Sequence, residues 1–307
     1  MRESFKSAHP LAQLVMLCLI GFGAMFVLFV VAMIPSMLAG DGIEILNNLG
    51  SVTDPDSDSV FFLKVLQIMQ AIGLFLVPYF IYRWAAPERP YSLNWTNVQI
   101  GSLILFSITM VSAMPAINLM AEWNSGLHLP EMFSGIEAWI YETEASAERL
   151  IRVFLTMDSV GDLAFNLILI AIVPAIAEEA FFRGMMQPIF LRVSRNHHIA
   201  IWTTAFLFSF FHLQFLGFLP RMMLGVVFGY AAHWSGSLII PMVGHLVNNG
   251  LVVILIWMIG LERIESQVET IGANEGEWYL SIVSMAVVTA GMFALYMRRV
   301  GKQKTPA

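Results

Sequence analysis

Long continuous apolar runs separated by short polar stretches dominate this chain. Windows of mostly apolar residues lie near 11–38, 60–85, 98–121, 161–191, 199–217, 219–234, 237–259 and 279–297. Roughly 18 or more such residues suffice to cross about 30 Å of hydrocarbon as a helix. The pattern therefore predicts about eight transmembrane helices, the sixth being the shortest. The runs are continuous rather than alternating, which is unlike barrel strands, and an open sheet would leave its backbone unsatisfied in lipid. The first run follows Arg2 and Lys6 as a signal peptide does. Its apolar stretch is too long for an h-region, so it reads as a retained signal anchor.

Composition agrees with this all-α polytopic membrane class. Hydrophobic residues make up 58% of the 307 and charged residues 12%, with a mean hydropathy of +0.72. Such values lie well outside the soluble globular range. The one cysteine, Cys18, allows neither a disulfide framework nor a cysteine-rich metal site.

Charge sets the expected orientation. With eight spans and an inner N-terminus, Arg2, Lys6, Arg83, Arg89, Arg192, Arg195, Arg298, Arg299, Lys302 and Lys304 fall on the cytoplasmic side. These are ten of the sixteen Lys and Arg, so the positive-inside rule predicts both termini cytoplasmic. The net charge of −6 comes mainly from the outer loops 40–59, 122–160 and 260–278 and argues against a nucleic-acid partner. Within 122–160, "AERLIRVFL" has apolar residues at helical spacing and reads as an interfacial helix in a surface-lying linker, with a substrate gate as the alternative. Asp158 and Ser159 offer caps for the next span.

Against this apolar background, "PAIAEEAFFRG" at 174–184 places two carboxylates and an arginine inside a span. A charge at the bilayer centre costs roughly 2.5–3.5 kcal/mol on insertion scales, so each needs a partner or a wet cavity. Glu179 and Arg183 are i,i+4 neighbours suited to an internal ion pair, whereas Glu178 points about 100° away with no local cation. An intramembrane carboxylate of this kind predicts function. Counting about 1.5 Å per residue from the cytoplasmic span ends places Glu178 and His212 both about 21 Å deep. On the same scale Asn249 lies about 19–20 Å and His245 about 13–14 Å deep, the two sharing one face of the seventh span. Four polar groups from three helices are expected to converge.

The same residues carry a family resemblance. "EEAFFR" at 178–183 looks like an EExxxR motif, "FSFFH" at 208–212 like FxxxH, and "HLVNN" at 245–249 like HxxxN. In this order, each on its own span, they resemble the CAAX prenyl protease and bacteriocin-processing family of intramembrane endopeptidases, the CPBP or Abi family. The resemblance covers roughly 161–259. It divides the chain into an N-terminal three-span region with a long outer loop (1–160), a catalytic core of spans four to seven (161–259), and an outer loop, last span and basic tail (260–307).

The resemblance implies hydrolysis of peptide bonds in a membrane-associated protein or peptide, in a bacterial inner membrane. Carried over by motif position, Glu178 and His212 activate water, His245 and Asn249 stabilise the tetrahedral oxyanion, and Glu179 and Arg183 support Glu178. Phe208 is read as packing. No cofactor is required in this reading. A zinc-dependent version with Glu178, Glu179, His212 and His245 as ligands is the alternative, although there is no HExxH and Asn249 is a poor zinc ligand. Polar groups at mid-membrane also suit a transporter, and a non-catalytic scaffold would carry the same motifs.

Overall fold

A computed structural model describes residues 2–39, 57–86 and 91–304. Most of the outer loop 40–59, and Arg89, lie outside the described residues. The described chain is helical with no strand. The helices are α1 (Arg2–Ser7), α2 (Pro10–Ala39), α3 (57–85), α4 (Ile100–Ser112), α5 (Met114–Ser125), α6 (Ser134–Leu155), α7 (Val160–Ser194), α8 (His197–Phe210), α9 (Phe218–Ser235), α10 (Ile239–Ile259), α11 (261–268) and α12 (Trp278–Lys304).

Five of these, α2, α3, α7, α10 and α12, are long and apolar enough to cross a membrane, and α4 with α5 makes a sixth, bent by 42°. The fifth and sixth apolar windows fall on α8, of 14 residues, and α9, of 18. Helix α8 is too short for a full crossing, and Arg221 and His233 dilute the apolar character of α9. These two helices pack closely against each other, Gly225 and Gly229 letting α9 approach Ala205 and Ile201 of α8. Helix α10 is central, with 44% of its apolar window buried against 11% for α2, whose Leu19, Phe26 and Val27 face outward. Such outward residues are what a lipid-facing surface requires.

Three breaks in regularity have one cause. The wide π-type turns Ile72–Leu76, Leu167–Ile172 and Phe182–Met186 each end two residues before a proline, namely Pro78, Pro174 and Pro188. Proline offers no N–H to the carbonyl four residues earlier and its ring crowds that carbonyl, so the preceding turn opens. Two of the wide turns receive another element: Gly73 sits against the backbone of Met25, and Gly184 against the Tyr79 ring. The two turns in α7 flank Glu178, Glu179 and the residues between, setting that segment apart from the rest of the helix.

Helix α7 begins with a capping box, Ser159 accepting from the Asp162 N–H while Asp162 accepts from the Ser159 N–H. It ends at Arg195, which takes the left-handed conformation (φ 55°). At the same end Arg192 donates to Gln13 on α2 at 2.6 Å, and Ser92 bridges to the α9–α10 turn through the Ser92 N–H to Gly236 O bond of 2.9 Å.

Candidate active site

The EExxxR segment separates its two carboxylates as the helical angle requires. Glu179 and Arg183 are fully buried and paired, Arg183 Nη1 donating to Glu179 Oε1 at 2.7 Å. The other end of the guanidinium donates to Gly225 O at 2.9 Å, and its centre lies 4.6 Å from the Phe208 ring and 5.4 Å from the Phe228 ring. Those aromatic faces offset part of the cost of burying a cation, because Arg183 Nε and Glu179 Oε2 find no hydrogen-bond partner. Phe208, one turn before His212, thus packs under both the arginine and the histidines.

Glu178 faces a different space. Its Oε2 lies 4.0 Å from His212 Nε2 and 4.0 Å from His245 Nε2. The opposite nitrogen of each ring is committed elsewhere: His212 Nδ1 lies 2.7 Å from Phe208 O, and His245 Nδ1 lies 3.0 Å from Glu179 Oε1. A carbonyl and an ion-paired carboxylate only accept, so both Nδ1 atoms carry a hydrogen, and in the neutral form of each ring Nε2 is a bare acceptor turned toward Glu178. Three acceptors then converge on one gap. An oxygen bearing two hydrogens fits between groups 4.0 Å apart, within reach of the carboxylate and an imidazole. This arrangement also changes what His245 can do, since as a neutral ring it accepts at Nε2 and donates there only after gaining a proton.

Asn249 shares the cavity but not the gap. Its Nδ2 donates to Ile170 O at 3.0 Å, and its Oδ1 accepts from Asn248 Nδ2 at 3.1 Å. One Asn249 N–H remains uncommitted by these bonds.

All four residues line a single cavity of about 600 Å³ together with Gln67, Asn248 and Arg221. Arg221 lines the cavity although it belongs to none of the three motifs. It donates to Gln214 O at 3.1 Å and to Gln214 Oε1 at 3.0 Å, leaving further N–H groups on a cation beside the carboxylate. An arginine within the first turn of a short apolar run was the available signal.

The cavity is covered by α6, through Leu150, Ile151, Phe154 and Leu155. The helix expected in "AERLIRVFL" is the C-terminal part of a 22-residue element that is exposed over most of its length and buries Phe154 and Leu155. It is fastened by Arg152 to Glu265 (2.7 Å), by Glu144 accepting from the Leu216 N–H (2.8 Å), and by Asn166, which donates to Phe154 O (2.6 Å) while accepting from buried Lys64 (2.9 Å).

The zinc alternative can be compared with this geometry. Imidazole and carboxylate are suitable donor types, but ligands of a tetrahedral zinc lie about 3.4 Å apart at bond lengths of about 2.0–2.2 Å. The Glu178 contacts are wider, and Glu179 is turned away into its pair with Arg183. Among the described residues no three His, Cys, Asp or Glu side chains stand as a metal-ligand group.

The fold and this cavity define the class: an all-α, polytopic integral membrane protein with a polar site between its helices. Within it, residues 160–251 match the family model described as Type II CAAX prenyl endopeptidase Rce1-like, so the chain carries an Rce1-like segment that contains every residue of the site's three motifs. The chain is also 28% identical over 86 residues to the uncharacterized protein YpbD of Bacillus subtilis, covering 27% of this chain and 41% of that relative. The match thus spans about two fifths of YpbD's length. No solved structure matches the chain significantly.

Proposed function

We propose that the protein is an intramembrane endopeptidase that hydrolyses a peptide bond of a membrane-associated protein or peptide with a water activated by Glu178. The carrying observation is the convergence of Glu178 Oε2, His212 Nε2 and His245 Nε2, at 4.0 Å for both histidine contacts, on the wall of a cavity between the helices. The match of residues 160–251 to the Rce1-like model supports the same chemistry.

In this reading Glu178 takes a proton from water as the oxygen attacks the scissile carbonyl, with the second hydrogen held by His212. The tetrahedral oxyanion is met by the uncommitted N–H of Asn249 and by the Arg221 guanidinium. Collapse breaks the C–N bond, and the proton held on Glu178 passes to the leaving amine. One water is consumed and one acid and one amine are formed, with no metal required.

Both termini are assigned to the cytoplasmic side. The basic residues favour it, and so does parity. The α8–α9 hairpin adds either two crossings or none to the six long ones, so the number stays even in either case.

The test is cleavage of membrane-associated peptides by the purified protein in proteoliposomes, wild type against Glu178→Gln. The amide keeps the shape but cannot take the proton, so a folded variant is expected to lose nearly all turnover. Near-normal cleavage by folded Glu178→Gln removes it as the base. Flux of a solute into the vesicles without cleavage would establish the transporter instead.

A further inference from the structure

A second cavity, of about 420 Å³, opens at the end of the bundle away from α6. Gln99, Leu191, Trp234, Ser237, Arg298 and Arg299 line it, at the ends of α4, α7, α9, α10 and α12. Among the described residues no carboxylate lines it and neither arginine forms an ion pair. Two adjacent guanidinium groups in one concavity repel each other, so their structural duties must be weighed first.

Those duties use little of them. Arg298 Nη1 donates to Ser102 Oγ at 3.1 Å, tying α12 to α4, and Arg299 Nη1 donates at 3.4 Å to His233 O near the end of α9. Each guanidinium has five N–H donors in a planar fork. Most remain for something in the cavity. Beside the cavity the rings of His197 and His233 stack at 4.5 Å, and His197 and His198 lie 3.9 Å apart. At the rim Trp234 and Tyr296 meet edge to face at 5.4 Å. Such rings favour the level at which hydrocarbon gives way to headgroups.

We infer that this cavity binds a phosphate group, the anion held by the Arg298 and Arg299 forks. Two adjacent forks match the planar recognition of phosphate oxygens, and basic pockets between helices at a membrane boundary suit anionic headgroups. The phosphate belongs either to an anionic lipid headgroup or to a free anion. The site is separate from the Glu178 cavity and does not depend on what that cavity does.

Thermal unfolding of delipidated protein in a neutral detergent distinguishes the sources. Dioleoyl phosphatidylglycerol, dioleoyl phosphatidylcholine and inorganic phosphate are added separately at matched ionic strength. Phosphatidylglycerol is expected to raise the wild-type midpoint by about 2–4 °C, with no equal rise from phosphatidylcholine. The rise should vanish in Arg298→Gln/Arg299→Gln. An equal rise with inorganic phosphate, lost in the same variant, assigns the site to a free anion. No rise with either phosphate source, an equal rise with phosphatidylcholine, or a rise retained in the double variant overturns the proposal. Should the double variant fail to fold, Arg298→Gln alone decides, because its side chain is exposed and makes the single bond to Ser102. The rise should at least halve, and its full retention has the same overturning force.

Discussion

Asn249 donates its side-chain amide to the carbonyl of Ile170, 3.0 Å away, and Ile170 is the residue whose helical partner four positions on is Pro174. The amide supplies a hydrogen bond that the proline cannot. Asn249 therefore has a structural duty beside the proposed catalytic one, and the two can be separated. Asn249→Ala is expected to destabilise the protein by about 1–3 kcal/mol, the cost of leaving a buried polar group without its partner, and to lower turnover by about 10²–10³. In a Pro174→Ala background an N–H returns at position 174. The stability loss from Asn249→Ala should then shrink while the loss of turnover remains, as read by a double-mutant cycle of unfolding and rate. Equal stability losses in both backgrounds would show that the Ile170 bond is worth nothing.

How much of this was legible depends on the range of each interaction. The Glu179 and Arg183 pair and the different direction of Glu178 follow from one helical angle, and both could be read from "EEAFFR". The agreement in depth of Glu178 with His212 also followed, because rise per residue is nearly constant along a span, but the same count put Asn249 rather than His245 level with Glu178, whereas it is His245 Nε2 that lies 4.0 Å from the carboxylate. The bond from Asn249 to Ile170 was not read, although Pro174 identified the needy carbonyl, since sequence does not say which neighbour reaches it. Tautomers were out of reach for the same reason, since no local pattern shows that His245 Nδ1 lies 3.0 Å from Glu179 Oε1. The placement of α6 over the cavity depends on contacts between distant segments, such as Arg152 with Glu265 and Lys64 with Asn166. No local pattern announces those.

Lys64 is 6% exposed and holds Asn166, which in turn holds the carbonyl of Phe154 at the end of α6. This relay fastens the cover of the cavity from below. Lys64→Met keeps the length and apolar packing but cannot donate, leaving Asn166 Oδ1 without that hydrogen. Amide exchange over residues 150–166 is expected to speed up by about tenfold, equivalent to about 1.4 kcal/mol of local stability, while exchange around 239–259 stays as in wild type. Unchanged exchange over 150–166 would show that Arg152 and Glu144 hold α6 without the relay.

Metal dependence has a direct measurement. The 4.0 Å separations and the orientation of Glu179 away from the gap favour a water held by organic groups alone. Dialysis against a strong chelator followed by buffer exchange should leave cleavage undiminished, and added zinc should not raise it. Activity that disappears on dialysis and returns only with zinc would replace the glutamate reading with a metal-bound water.

The last prediction separates the two glutamates. Glu179 Oε1 accepts from Arg183 at 2.7 Å and from His245 Nδ1 at 3.0 Å, so one oxygen neutralises the guanidinium and fixes the imidazole's tautomer. Removing one partner of a buried pair leaves an uncompensated charge, at a typical cost of about 3–5 kcal/mol. Arg183→Ala is expected to fall in that range and to lower activity as well. Glu179→Gln should be destabilised for the same reason, and it has a second consequence. A glutamine can turn its NH2 toward His245 Nδ1, which moves the ring hydrogen to Nε2 and changes which proton state of His245 is competent. Turnover by the folded fraction of Glu179→Gln should fall, with a displaced pH profile. Glu178→Gln should instead keep wild-type stability while losing cleavage at every pH. Loss of cleavage confined to Glu179→Gln, with Glu178→Gln near normal, would mean that the base is the carboxylate paired with the arginine.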